Sequence, residues 1–83
     1  TLGWVHFRQG RFHEALTQLL LAARLAPRDD GVIFDHIGDT LQALGRLEEA
    51  IAFWRRALAL TPGDSGLKRK VERATDDLRK SGH

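Results

Sequence analysis

The chain has 83 residues, of which 42% are hydrophobic and 29% charged, and a formal net charge of +2. This composition is typical of a folded chain rather than a disordered one, and the length allows one small domain with a modest core. The charge is too small to indicate nucleic-acid binding by itself. The absence of cysteine excludes disulfides and thiol catalysis. No apolar run approaches the roughly 18 residues of a membrane span.

The first part of the chain predicts two helical segments separated by a glycine. Thr1–Gln9 is expected to be the last part of a helix that Gly10 ends, since glycine readily adopts the left-handed conformation of a C-cap. Phe12–Leu25 is expected to be a second helix, because apolar residues recur along one of its faces at helical spacing. Pro27 cannot continue that helix. Because the chain begins inside a helical pattern, we expect it to be the C-terminal part of a larger repeat protein.

The middle of the chain predicts a helical hairpin. Its first helix is expected over Val32–Leu44, with Asp29 or Asp30 accepting hydrogen bonds from its free backbone amides and Gly45 ending it. Its second helix is expected over Leu47–Leu60, which has acidic residues in the first turn and arginines towards the end. That order of charges complements the helix dipole.

A last helix is expected over Gly66–Lys80, capped by Asp64 or Ser65. It carries a single narrow apolar stripe, and charged residues cover its other faces. Such a helix is typical of the solvated end of a stack of repeats. The stripe consists of Leu67, Val71, Ala74 and Leu78.

The chain also repeats itself at a shift of 35 residues. Such a repeat indicates two copies of one hairpin, which must stack because neither can bury its own apolar face. The identical pairs include Gly3/Gly38, Gly10/Gly45, Arg11/Arg46, Glu14/Glu49, Ala15/Ala50, Ala22/Ala57, Leu25/Leu60, Pro27/Pro62 and Asp29/Asp64.

Two motifs in the middle of the chain carry a resemblance to a known repeat. They are Phe34-x2-Ile37-Gly38-x2-Leu41 and Ala50-x3-Trp54-x2-Ala57, followed by Pro62. This pattern resembles the tetratricopeptide repeat, which is commonest in bacterial multi-repeat proteins. The resemblance implies an all-α fold, in which antiparallel helical hairpins form a right-handed α-solenoid that ends in a capping helix. Residues 1–30 would be a truncated first repeat, 31–64 a complete second repeat and 65–83 the cap, with Trp54 in the core.

The resemblance further implies a function. In this family, ligand contacts come from the inner face of the first helix of each hairpin. We therefore expect a non-catalytic protein–protein interaction module, an adaptor or scaffold whose groove binds a peptide or partner protein. The matching positions are Trp4, Phe7 and Arg8 in the first repeat, Val32, Asp35, Asp39, Gln42 and Ala43 in the second, and Arg69 and Arg73 in the cap.

Alternatives remain for these residues and for the chain as a whole. Trp4 and Phe7 could instead pack on repeats outside this chain. Asp35 and Asp39 disfavour a carboxylate ligand and favour a basic or apolar peptide.

The second functional hypothesis is a structural end-cap that mediates self-association, because a truncated apolar edge would favour a homodimer. That edge comprises Leu2, Val5, Phe12, Leu16 and Leu20.

Other chemistry has weaker support in the sequence. Asp35, His36 and Asp39 offer ligand types that a metal could use, but a solvated acidic groove is favoured, and no cofactor is expected. No motif of a nucleophile elbow, phosphate loop or zinc site is present. The basic run at residues 68–70 is interrupted by acidic residues and lacks interleaved aromatics, so we expect no nucleic-acid binding. We expect no membrane contact by this chain either.

Overall fold

The computed structural model describes residues 10–81, and every regular element in that range is an α-helix. Each helix packs against the next one along the chain, as in a stack of helical hairpins. The predicted all-α, repeat-type fold is therefore confirmed. The helices are α1 (Phe12–Leu25), α2 (Gly31–Ala43), α3 (Leu47–Leu60) and α4 (Ser65–Ser81).

The ends of α2 differ by one residue from the prediction, for reasons visible in its caps. The Asp30 carboxylate accepts hydrogen bonds from the backbone amides of Val32 at 2.9 Å and Ile33 at 3.3 Å, which places Gly31 in the first turn. At the other end, Gly45 adopts a φ of +77°, as predicted for a C-cap glycine. The backbone amide of Arg46 then donates to the carbonyl of residue 41 at 2.9 Å, which completes a Schellman motif.

The last helix also begins and ends one residue beyond its predicted bounds. The side chain of Asp64 accepts a hydrogen bond from the backbone amide of Leu67 at 3.1 Å, so Asp64 caps the first turn. Of the stripe that the sequence predicted, Leu67 and Ala74 are buried, and Val71 and Leu78 pack against the core while remaining partly exposed. The stripe therefore faces α3, against which α4 packs.

The core is centred on Trp54, the largest fully buried side chain among residues 10–81. Its indole lies against Gly38, where an added Cβ would come within 2.8 Å of Cε2 of the ring. Its Nε1 donates a hydrogen bond to the backbone carbonyl of Asp35 at 3.3 Å, so the buried N–H has an acceptor. The predicted packing role of Trp54 is confirmed. The other buried members of the core are Leu16, Leu19, Phe34, Ile37, Leu41, Ala50, Ile51, Ala57, Leu67 and Ala74.

The helix α1 keeps three leucines in contact with solvent: Leu20, Leu21 and Leu25 are 43%, 46% and 72% exposed. Its opposite side is buried through residues such as Leu19, which has no exposed surface. None of the helices within residues 10–81 is long and apolar enough to cross a membrane.

Candidate peptide-binding groove

The helices α2 and α4 both pack on α3, and a lysine of α4 links them to each other. Nζ of Lys70 lies 2.7 Å from Oδ1 of Asp35 and 3.0 Å from Oδ1 of Asp39. The two aspartates are one helical turn apart, so a single ammonium group bridges both carboxylates. We call the surface between these helices the α2–α4 groove. It is formed by Asp35, Asp39 and Gln42 of α2 with Arg69, Lys70, Arg73 and Asp77 of α4.

Partial burial and the bridge act in opposite directions on the pKa values of these groups. Burial raises the pKa of Asp39 above its ordinary value, and the hydrogen bond from Lys70 only partly opposes it. Burial by itself would lower the pKa of Lys70, but its hydrogen bonds to Asp35 and Asp39 together raise it. Burial also lowers the pKa of His36, although the neighbouring carboxylates oppose this effect. The ammonium of Lys70 is therefore firmly held in its charged form.

A basic cleft lies beyond this bridge, towards the C-terminal ends of the two helices. It has a volume of about 270 Å³ and brings together Gln42, Arg69 and Arg73 with Lys70 and Asp77. Lys70 is engaged by the aspartates, whereas Arg69 and Arg73 form no ion pair with any residue in the described range. Two guanidinium groups therefore remain available beside the side-chain amide of Gln42.

A comparison with protein families agrees with this hairpin arrangement. Residues 33–64 match the sequence model of the family described as the tetratricopeptide repeat. This part of the chain is therefore similar to a tetratricopeptide repeat. The match runs from the first turn of α2 through α3 to the residue before α4. Repeats of this family generally mediate protein–protein interaction and scaffolding, typically bind proteins or peptides, and are generally non-catalytic. No curated protein matches the chain.

The structure brings most of the predicted groove residues of the repeat and its cap to one surface. Asp35 and Asp39 lie at the Lys70 bridge, and Gln42 lies beside Arg69 and Arg73, as described above. Val32 is 64% exposed near the N-terminal end of the groove. Ala43 is exposed at the last residue of α2. The predicted positions Trp4, Phe7 and Arg8 lie outside the described residues, as do Leu2 and Val5 of the predicted edge. Leu16, which was also expected at that edge, is instead buried in the core.

The geometry around Asp35 and Asp39 bears on the metal alternative. Within residues 10–81, no group of three or more His, Cys, Asp or Glu side chains is arranged to hold a metal ion. A lysine ammonium lies between the two carboxylates instead. The same lysine offsets the negative charge that led the sequence analysis to disfavour a carboxylate ligand.

Lys70 was not among the predicted groove residues, although one signal in the sequence points to it. Lys70 follows Leu67 by three residues and precedes Ala74 by four, so it flanks the apolar stripe of α4. A charged residue beside such a stripe lies next to whatever the stripe packs against. Its pairing with Asp35 and Asp39 nevertheless depends on how α2 and α4 are placed on α3, which the local pattern does not contain.

Proposed function

We propose that the chain is a non-catalytic interaction module that presents the α2–α4 groove to a peptide or partner protein. The observation that carries the proposal is the pair of exposed arginines, Arg69 and Arg73, beside Gln42 at one end of this groove. Arginine side chains are frequent anchors of protein interfaces, and their planar guanidinium groups can bind carboxylates through two hydrogen bonds.

The helices that carry these side chains are packed together in the free chain, which favours binding. The helix α2 is fixed to α3 by the packing of Trp54 against Gly38, and α4 is fixed to α2 by Lys70. A surface that is ordered before binding loses little conformational entropy when a ligand arrives. The groove is therefore suited to selecting an extended peptide whose side chains match its charges.

The proposal can be tested with a displayed library of random peptides selected against the whole 83-residue chain. Selected peptides are expected to bind the wild-type chain and to lose at least about tenfold in affinity on Arg73→Glu, because a reversed charge repels what the arginine attracted. Gln42→Ala is expected to weaken the same peptides by a smaller factor. Arg55→Glu is the matched control, since Arg55 is an exposed arginine of α3 outside the groove. Equal losses for Arg73→Glu and Arg55→Glu would contradict the proposal.

A second candidate function is that of a structural end-cap and self-association segment of a longer solenoid. The exposed leucines of α1 favour it, because contiguous exposed apolar surface often marks an interface. The many charged residues of α4 are consistent with a solvated end. This candidate predicts strong self-association of the chain together with a failure of the library to yield any specific peptide.

A further inference from the structure

A further cleft lies at the other end of the groove, among the loops. It has a volume of about 460 Å³ and is formed where the α1–α2 loop meets the end of α3 and the start of α4. We call it the loop cleft. It is lined by residues 26–32, Asp35, Leu60, Thr61, Asp64 and Leu67.

The floor and walls of the loop cleft are largely apolar, and some of that surface is left in water. Val32 is 64% exposed and Leu60 is 46% exposed, although both are branched aliphatic side chains. Next to them, Gly31 carries no side chain, and an added Cβ there would only reach ordinary contact with Leu60 at 3.8 Å. The cleft thus has room for an apolar side chain from outside, which would remove Val32 and Leu60 from solvent.

The rim of the same cleft is acidic. Asp29, Asp30 and Asp64 form no ion pair with any residue in the part of the chain that the structure describes. Arg28 is the basic residue among the lining positions, while Asp35 is already bridged by Lys70. The rim therefore carries an excess of negative charge, in contrast to the basic cleft around Arg69 and Arg73.

We propose that the loop cleft binds an apolar side chain that is followed or preceded by a lysine or arginine in the partner peptide. The apolar side chain packs on Val32 and Leu60, and the adjacent cation lies against the carboxylates of the rim. The inference rests on the proposed function, because Asp35 lines both the loop cleft and the α2–α4 groove. It adds the chemistry of the partner at this end of the groove.

The experiment is a titration of the isotope-labelled full chain, followed by the NMR signals of its backbone amides. The ligand is the peptide acetyl-Gly-Ser-Leu-Arg-Ser-Gly-amide, compared with the same peptide carrying Glu in place of Arg or Ser in place of Leu. We expect saturable shifts confined to the amides of residues 28–35 and 60–67. Either substitution in the peptide should weaken binding by about two- to fivefold, the size expected for one exposed charge pair or one small apolar contact.

Two pairs of protein variants distinguish binding at the loop cleft from nonspecific binding elsewhere on the chain. Leu60→Ser should weaken the Leu-Arg peptide severalfold, whereas Leu21→Ser should not, and these two leucines are equally exposed at 46%. Asp29→Asn should weaken it, whereas Asp76→Asn on α4 should not. Neither Asp29 nor Asp76 caps a helix through a side-chain hydrogen bond seen in the described residues, so both variants are expected to fold.

The outcomes distinguish this inference from the proposed function. If library-selected peptides shift the amides around Gln42 and Arg73 but the Leu-Arg peptide leaves the loop cleft unchanged, the cleft proposal is wrong and the proposed function stands. Equal affinity for the Arg and Glu peptides would also overturn the cleft proposal. If no peptide of either kind produces saturable shifts anywhere, both proposals fail together.

Discussion

At the scale of single residues, the contact between Gly38 and Trp54 holds the hairpin of α2 and α3 closed. The indole occupies the space that a side chain at position 38 would need, so the two positions depend on each other. Gly38→Ala is expected to destabilise the chain by about 1–3 kcal/mol through overpacking. This exceeds the gain of up to about 1 kcal/mol that alanine brings to a helix interior. Urea unfolding followed by circular dichroism measures the free energy of unfolding of the variant relative to the wild type.

Gly63 provides the control for that substitution. A Cβ at position 63 would meet no atom within 4 Å, and its backbone angle is not in the left-handed region. Gly63→Ala should therefore change the free energy of unfolding by less than about 0.5 kcal/mol. A Gly38→Ala variant as stable as the Gly63→Ala variant would contradict the close contact between Trp54 and Gly38.

The Lys70 bridge gives a second prediction at this scale. Lys70→Met leaves two carboxylates facing each other without a cation, and it is expected to cost about 1 kcal/mol. In a double-mutant cycle with Asp39→Asn, the coupling free energy should be about 0.5 kcal/mol or more and should shrink in high salt, because the groups remain partly exposed. Lys68→Met, at an exposed lysine of the same helix, should be nearly neutral. A coupling free energy of zero would contradict the bridge.

His36 gives a prediction about pH. Burial lowers its pKa below 6.5, while Asp35 and Asp39 oppose this and Lys70 assists it. A lowered pKa means that the unfolded chain binds the proton more readily, so this contribution to stability is complete above pH 6.5. It is lost as the pH falls through the lowered value. Thermal melts between pH 7.5 and 5.5 should show the wild type losing stability on acidification and His36→Gln losing less. Identical slopes for both proteins would contradict this prediction.

At the scale of the helices, the N-terminal ends of α2 and α4 each depend on one side chain. The Asp30 carboxylate caps α2, and Asp64 caps α4. Asp30→Ala and Asp64→Ala are each expected to cost about 1 kcal/mol. Asp29→Ala, one residue away from the cap and with no side-chain hydrogen bond in the described residues, should change stability little. Chemical denaturation of the three variants measures their free energies of unfolding. An equal loss of stability for Asp29→Ala and Asp30→Ala would contradict the assignment of the cap.

The helices themselves were largely predictable because their signals are local. Gly45 and the apolar spacing around Trp54 are enough to place the turn and α3, whose predicted bounds match the structure. The Asp30 cap was one of two candidates, and only the geometry of its carboxylate decides between them. The Lys70 bridge was not predictable in the same way, because it joins residues 31 and 35 positions apart in the chain. Local patterns identify helix faces, but contacts between α2 and α4 depend on the packing of both against α3.

At the scale of the whole molecule, the first and the last of the described helices differ in character. The outer faces of α4 carry lysine, arginine and acidic side chains, whereas α1 exposes three leucines to solvent. Burial of apolar surface is worth roughly 25 cal/mol per Å², so the α1 end gains most from a neighbour. We predict that the chain forms a dimer through this end at high concentration, with the same helix contributed by both copies.

Light scattering after size-exclusion chromatography measures the oligomeric state of the chain directly. The wild-type mass should rise towards twice the monomer mass as the concentration increases, and Leu20→Lys should keep the chain monomeric. A charge introduced at Leu20 would have to be buried without a partner in the dimer, which is costly, whereas in the monomer it stays in water. Leu60→Lys, at a leucine of similar exposure on α3, should leave the dimer intact. A wild-type chain that stays monomeric at every concentration would contradict the prediction. A dimer that survives Leu20→Lys but not Leu60→Lys would place the contact at the loop cleft instead.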